Sequence, residues 1–358
     1  MSSQHVVMLG TSLDAPGGMT SVVRTLAAGG LFKAGNVVYL STYERKGIAT
    51  QLRVFGTAMI RLVWMLMCRK VALVHVHSAS RGSFWRKSTV CLLARLFGVP
   101  YVFQIHSGEF PTFYTQECGT LARWWVHQTL GRAATVVCLT KYWLEQISAF
   151  APAGNLVVIG NPVDIPPLAP AREAVHQALF LGRLREKKGV FDLIKAISLL
   201  NMPSLKFVLA GDEDAQAVQA MARKLGVIDQ LSLPGWIDGA EKQAQLEAAG
   251  MFVLPSYFEG LPVGVLEAMA NGVPIVTTSV GGIPDVVTDR EHALLVPPGD
   301  PAKLAAAIRE LVSDRELRRR LRNKAYQRAR DVFSIPVVVD KYLALYSKYL
   351  PVTQEARN

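Results

Sequence analysis

The chain has 358 residues, half of them hydrophobic and 19% charged, with a formal net charge of +11. That length exceeds one usual core, so two domains are expected, and the composition excludes collagen-like repetition and a disordered chain. Four scattered cysteines, Cys68, Cys91, Cys118 and Cys138, exclude a disulfide framework or a paired-cysteine zinc motif and point to a reducing compartment.

The opening MSSQHVVMLG has neither a basic n-region nor a signal-length apolar core, so export is not expected. From there β-rich runs alternate with helical segments. Strands are expected at His5–Leu9, Asn36–Leu40, Leu73–His77, Tyr101–Ile105, Thr135–Leu139 and Leu156–Ile159. Helices are expected between them at Met19–Ala28, Leu52–Cys68, Phe84–Phe97, Leu121–Leu130 and Lys141–Phe150. Continuous apolar strands alternating with helices imply a parallel sheet covered on both faces, a Rossmann-like domain. Prolines 162, 166, 167 and 170 then form a stiff linker. The alternation restarts at Ala178–Leu181, Leu205–Ala210, Gln230–Leu233, Met251–Leu254, Pro274–Thr278 and Ala293–Val296, before a helical tail over Pro301–Val332 and a last amphipathic helix at Val337–Tyr349. The fold class is α/β, two Rossmann-like doubly wound domains, 1–165 and 166–334, facing across a cleft at their strand ends.

Charge is unevenly distributed. Up to Pro170 there are 15 Lys and Arg against 6 Asp and Glu; the remainder has 24 against 22. No acid occurs between Lys46 and Gly108, where Arg53, Arg61, Arg69, Lys70, Arg81, Arg86, Lys87 and Arg95 mix with Phe, Trp, Leu and Met. Such a mixture suits an anionic membrane surface, and Arg61, Arg81, Arg86, Lys87 and Arg95 are the candidates to meet it. Nucleic acid is the rival polyanion, and a solvated basic face is the simplest alternative. The apolar run Val54–Cys68 is short and broken by Arg61, which argues against a spanning helix.

Three loops carry chemistry. After the first strand, Gly17-Gly18 precedes a helix start, which suits an anion or is simple turn chemistry. The spacing is not the dinucleotide fingerprint, so a nicotinamide cofactor is disfavoured. In FLGRLREKKGVFDLI, Arg183 and Lys188 flank a loop entering a helix, where a guanidinium fork and an ammonium would hold a diphosphate from two sides; a solvated basic loop is the alternative. In FEGLPVGVLE, Glu259 sits on a turn and Glu267 lies inside the helix opened by Pro262. Open amides at Gly260, Leu261 and Val263 and a carboxylate that accepts from a vicinal diol would suit a ribose or hexose. Two acids favouring the helix dipole are the plain alternative.

Together, Gly182-Arg183-Leu184 with Lys188-Gly189, Gly211-Asp212, Leu233-Pro-Gly-Trp236, Phe258-Glu-Gly-Leu-Pro with Glu267-Ala-Met-Ala-x-Gly-x-Pro274, and Gly281-Gly-Ile-Pro-Asp285 resemble the retaining nucleotide-sugar enzymes of glycosyltransferase family 4, which have the GT-B fold. The resemblance covers the whole second domain; in the first it rests on Pro16-Gly-Gly18, His106 and Gly160-Asn-Pro-Val-Asp164. It implies that 1–165 is the acceptor-side domain, that 166–334 binds the donor, and that helix 335–350 packs back on the first domain. Arg183 and Lys188 would bind the donor diphosphate, with Gly17 and Gly18 beneath it. Glu267 would hold the ribose, and Glu259 with Gly260, Leu261, Pro262 and Val263 the donor sugar. Gly235 and Trp236 would lie beside the base, and His106 near the transferred sugar.

The resemblance implies hexose transfer with retention, the leaving phosphate taking the acceptor's proton, with no cofactor and no metal. The expected partners are a nucleotide-sugar donor, a glycan or lipid-linked acceptor and an anionic membrane surface, but not nucleic acid. A cytoplasmic protein at the inner face of the plasma membrane, in bacterial surface or exopolysaccharide synthesis, is the expectation. The rivals are a nucleotide-sugar epimerase using Glu109 and Glu117, a two-carboxylate glycosidase and a non-catalytic sugar-binding scaffold. His75-Val-His77 share a strand face without a third metal ligand in view. Asp285 is read as structural, and Trp124-Trp125 as core or membrane boundary.

Overall fold

A computed structural model describes residues 4–15, 17–151, 155–170 and 173–350. The chain divides into two units, one formed by Met1–Pro162 with Ile335–Asn358 and the other by Val163–Ser334. The first holds six parallel strands: β1 (His5–Gly10), β2 (Val37–Ser41), β3 (Val71–Ser78), β4 (Tyr101–Ile105), β5 (Thr135–Cys138) and β6 (Leu156–Val158). Their order is β2-β1-β3-β4-β5-β6, which reverses between β1 and β3. All eight residues of β3 are buried, as a strand covered on both faces requires.

The second unit repeats the plan with β7 (Gln177–Leu181), β8 (Lys206–Ala210), β9 (Leu231–Gly235), β10 (Met251–Leu254), β11 (Ile275–Thr278) and β12 (Leu294–Val296). Its order is β12-β11-β10-β7-β8-β9, all parallel, with the reversal between β7 and β10.

The division falls at Pro162, three residues before the expected boundary. Val163 belongs to the second unit because its amide donates to the Phe333 carbonyl at 2.8 Å. The linker beyond it lies along helix Arg315–Arg328 rather than hanging free. Tyr326 Oη donates to the Pro166 carbonyl at 3.0 Å and Arg318 Nη2 to that of Glu173 at 2.7 Å. A cavity of about 460 Å³ lies between this strap and the N-terminal ends of β10 and β11, lined by Pro166, Gly250, Pro274 and Arg322. The helical tail is two helices, Pro301–Ser313 and Arg315–Arg328, because Asp314 caps the second through the Leu317 amide.

Helix Ile335–Tyr346 returns to the first unit. Tyr342 Oη donates to Gln104 Oε1 on β4 at 2.9 Å, and Tyr346 Oη lies 2.6 Å from His75 Nδ1 on β3.

Candidate active site

The crossovers from β7 and β10 leave in opposite directions, so the loops after these neighbouring strands diverge and open a crevice, the place where open α/β sheets bind ligands. The loop after β7 passes through a 3₁₀ turn, Glu186–Lys188, into helix Val190–Leu200. Between them Gly189 has φ of 70°, and a Cβ there would lie 1.9 Å from the Pro255 carbonyl oxygen. Only glycine lets the two loops meet. The Tyr257 amide then donates to the Lys187 carbonyl at 2.9 Å, and Thr278 Oγ1 anchors the Ser256 carbonyl at 2.5 Å. Gly211 serves the next strand similarly, since a Cβ would stand 1.8 Å from the Gly182 carbonyl oxygen.

This meeting joins two residues that the sequence left separate. Lys188 Nζ lies 2.6 Å from Glu259 Oε1, and Ser256 Oγ donates to the same oxygen at 2.6 Å. Glu259 is only 5% exposed. An ammonium has three donors and a carboxylate about four acceptor sites, so both keep capacity for a ligand. Arg183 Nη1 is 3.1 Å from Glu213 Oε1, and Glu213 also pairs with Arg185. Glu267, in helix Val263–Ala270, places Oε1 2.5 Å from Lys242 Nζ. Burial pushes the Glu267 carboxyl up, and the Lys242 ammonium opposes the shift.

Glu213 and Lys242 were not foreseen. They lie on loops or helices of other strands, and no sequence spacing links them to Arg183 or Glu267. Gly260 and Leu261, whose amides were expected to be open, each take part in an interaction within the chain. No side chain caps the helix that follows them. Gly235 ends β9 with φ of 84°, and Trp236 beyond it is exposed. Asp285 lies in the short helix Ile283–Val286, where its carbonyl accepts from Arg328 Nη2 at 2.8 Å.

In the first unit, Gly17 and Gly18 follow β1, at the reversal of its own sheet, and Gly18 begins helix Gly18–Ala28. Pro16 lies outside the described residues. His106 follows β4, with Nε2 2.8 Å from His77 Nδ1, while His75 Nε2 contacts Gln104 Oε1 at 3.1 Å. Burial pushes His75 and His106 down to about 3 and His77 well below the usual imidazole range. These rings are therefore neutral at physiological pH. Among the described residues no group of three or more His, Cys, Asp or Glu is placed to hold a metal ion.

The expected basic surface needs correction. Lys87 is buried, its ammonium donating to Thr42 Oγ1, because it shares the inward stripe Phe84, Lys87, Ser88 and Cys91 of helix Gly82–Leu96. Arg81 is exposed but ion-paired to both Glu109 and Glu117. That also neutralises the two acids an epimerase would use. Arg86 is half-buried with its guanidinium 4.6 Å from the Tyr43 ring, Arg95 is half-buried, and Arg61 is exposed. No helix among the described residues is long and apolar enough to cross a membrane.

Two parallel six-stranded α/β sheets, each reversing its strand order once, are the elements of a GT-B-type protein. Residues 3–162 match a family model described as a glycosyl transferase 4-like domain, and residues 169–328 one described as glycosyl transferases group 1. Glycogen synthase of Mycobacterium tuberculosis is 30% identical over 71% of this chain and 64% of its own length, so the chain spans less than two thirds of that relative. Alpha-maltose-1-phosphate synthase of the same species is 31% identical over 72% of this chain and 75% of its own. A lipopolysaccharide core biosynthesis glycosyltransferase, LpsE, of Rhizobium meliloti is 33% identical over 57% and 58%. Among solved structures, sucrose-phosphate synthase from Thermosynechococcus elongatus has a TM-score of 0.80 at 20% identity, covering 96% of this chain and 98% of that one. Anabaena HepE in complex with UDP-glucose scores 0.79 at 17% identity, covering 96% and 99%. The chain belongs to the GT4-type glycosyltransferases of the GT-B fold.

Proposed function

We propose that the protein transfers a hexose, with retention of anomeric configuration, from a nucleotide-diphosphate sugar to a lipid-linked glycan acceptor in bacterial surface or exopolysaccharide synthesis. The observation that carries this is the Lys188–Glu259 pair at the β7–β10 crevice. It sets a cation for a diphosphate against a carboxylate for sugar hydroxyls. A solved relative in fold is described with UDP-glucose, and a sequence relative is named for lipopolysaccharide core synthesis.

On this reading Arg183 and the remaining Lys188 donors hold the diphosphate, and Glu267 accepts from the ribose diol. Trp236 flanks the base, and Gly17 and Gly18 offer backbone to an anion. The bond from the anomeric carbon to the phosphate oxygen breaks, leaving its electron pair on the diphosphate, where the fixed cations stabilise it. The acceptor oxygen bonds to the anomeric carbon on the same face, and its proton passes to the departing phosphate oxygen. Glu259 orients the sugar and forms no covalent bond. His106, as a neutral ring, contributes a hydrogen bond rather than a charge. Because Arg183 and Lys188 supply the positive charge, transfer needs no divalent metal or cofactor. The enzyme works in the cytoplasm, against an anionic membrane surface where a lipid-linked acceptor resides.

The test offers UDP-, GDP- and ADP-sugars with a bacterial lipid extract as acceptor, with and without a chelator. Glu259→Gln should lower turnover by about 10²-fold or more, while a nucleoside diphosphate still binds. Near-normal turnover in Glu259→Gln, an inverted product or loss of activity on chelation would overturn the corresponding part.

A further inference from the structure

Helix Ile48–Met67 presents two apolar faces, and the fold uses one. Ala58, Leu62, Met65 and Leu66 are buried. On the opposite side Ile60, Trp64 and Met67 are 73%, 54% and 69% exposed. With Arg53 these three fall within about 60° of the helix circumference at 3.6 residues per turn, and exposed Arg61 borders them. A helix packed on one side and apolar on the other needs a second medium for its outer face.

We infer that this outer face is the membrane-docking surface, lying flat on anionic lipid with Ile60, Trp64 and Met67 in the headgroup boundary and Arg53 and Arg61 on phosphates. The inference rests on the proposed membrane-bound acceptor and assigns the contact to a helix other than the one carrying Lys87. Charge selects the occupant. No acid lies anywhere from Arg45 through Ser107, so a second copy docked on the same face would bring guanidiniums against guanidiniums. A lipid surface supplies the missing negative charge, and an indole beside cationic side chains suits that boundary. Lys70 Nζ already stands 4.6 Å from the Trp64 ring centroid.

The experiment is co-sedimentation with vesicles of phosphatidylcholine alone or mixed with phosphatidylglycerol, with nucleoside diphosphate binding measured by calorimetry on every variant. The full chain should bind the anionic vesicles, and Ile60→Asp/Trp64→Asp should reduce partitioning by about tenfold or more. Arg53→Glu/Arg61→Glu should give a similar loss that grows with phosphatidylglycerol content. All these residues are exposed, and an unchanged urea-unfolding midpoint by tryptophan fluorescence would show that the first unit is intact, while unchanged nucleotide binding would show the same of the second. Vesicle binding by the full chain that both variants retain would overturn this surface and leave the membrane reading standing. Failure of the full chain to bind either vesicle would overturn both, without touching the donor site. A dimer in gel filtration that Ile60→Asp/Trp64→Asp dissolves, without vesicle binding, would reassign the face to contact between copies.

Discussion

Lys87→Met should stabilise the protein. Burial, with the Arg86 charge adding to it, pushes the Lys87 ammonium from 10.5 down to about 7. The unfolded chain therefore binds a proton that the folded chain releases between those values, and stability rises with pH across that window. Below about 7 the full penalty is present, and at pH 7 it amounts to about 4 kcal/mol, at 1.36 kcal/mol per unit of displacement. Methionine fills the same inward position without a charge, at the cost of one hydrogen bond to Thr42, about 1 kcal/mol. The assay is urea unfolding at pH 7.0 and 8.5, followed by tryptophan fluorescence; five of the six tryptophans lie in the first unit, so it reports the unit that contains Lys87. The native protein should gain about 1 to 2 kcal/mol over that interval relative to the variant. A variant that is less stable at pH 7 and keeps the native slope would refute the buried, weakly basic lysine.

The neutral histidines predict the opposite edge of the stability profile. His75 and His106 have folded values near 3 against 6.5, so stability is full above pH 6.5 and falls as pH drops toward 3, by about 1.4 kcal/mol per pH unit for each ring. Urea midpoints at pH 7 and 5.5 should show this, and because His77 is held neutral as well, His75→Gln should remove about a third of the dependence; an unchanged slope would contradict a neutral His75. Glu267→Gln should weaken nucleoside diphosphate binding about tenfold or more by calorimetry, through the lost ribose acceptor and the displaced Lys242 ammonium. Equal affinity would remove Glu267 from the donor site.

Strand positions were readable because a strand buried on both faces is a continuous apolar run: Tyr101–Ile105 and Met251–Leu254 are expected and found at the same bounds. Helix starts were less so. The helix expected from Leu52 begins at Ile48, after Gly47, where no capping side chain marks it. The burial of Lys87 was present in the sequence all the same, as residues 84, 87, 88 and 91 recur at helical spacing. A run of charges read by composition alone hides that phase. The outward stripe of Ile60, Trp64 and Met67 was hidden differently, because periodicity reports an apolar face but not which of two apolar faces the sheet takes.

The site shows a further limit of motif reading. Each charged residue singled out there has an opposite charge as its partner: Lys188 with Glu259, Arg183 with Glu213, Glu267 with Lys242. Motifs name one member of a pair when the other lies across the sheet, as Glu213 and Lys242 do. These pairs hold long, flexible side chains in place before a ligand arrives, which lowers the ordering cost of binding. They also balance charge in a crevice where an unmatched ammonium or carboxylate would be costly. On the proposed function, what a diphosphate would meet is the set of donors that the pairs leave unused: two on Lys188 beyond the one on Glu259, and the guanidinium edge of Arg183 not turned to Glu213. In that proposal, charge developing on a leaving phosphate would draw those donors from their resting partners, so the pairs that stabilise the site at rest would direct their stabilisation toward bond cleavage.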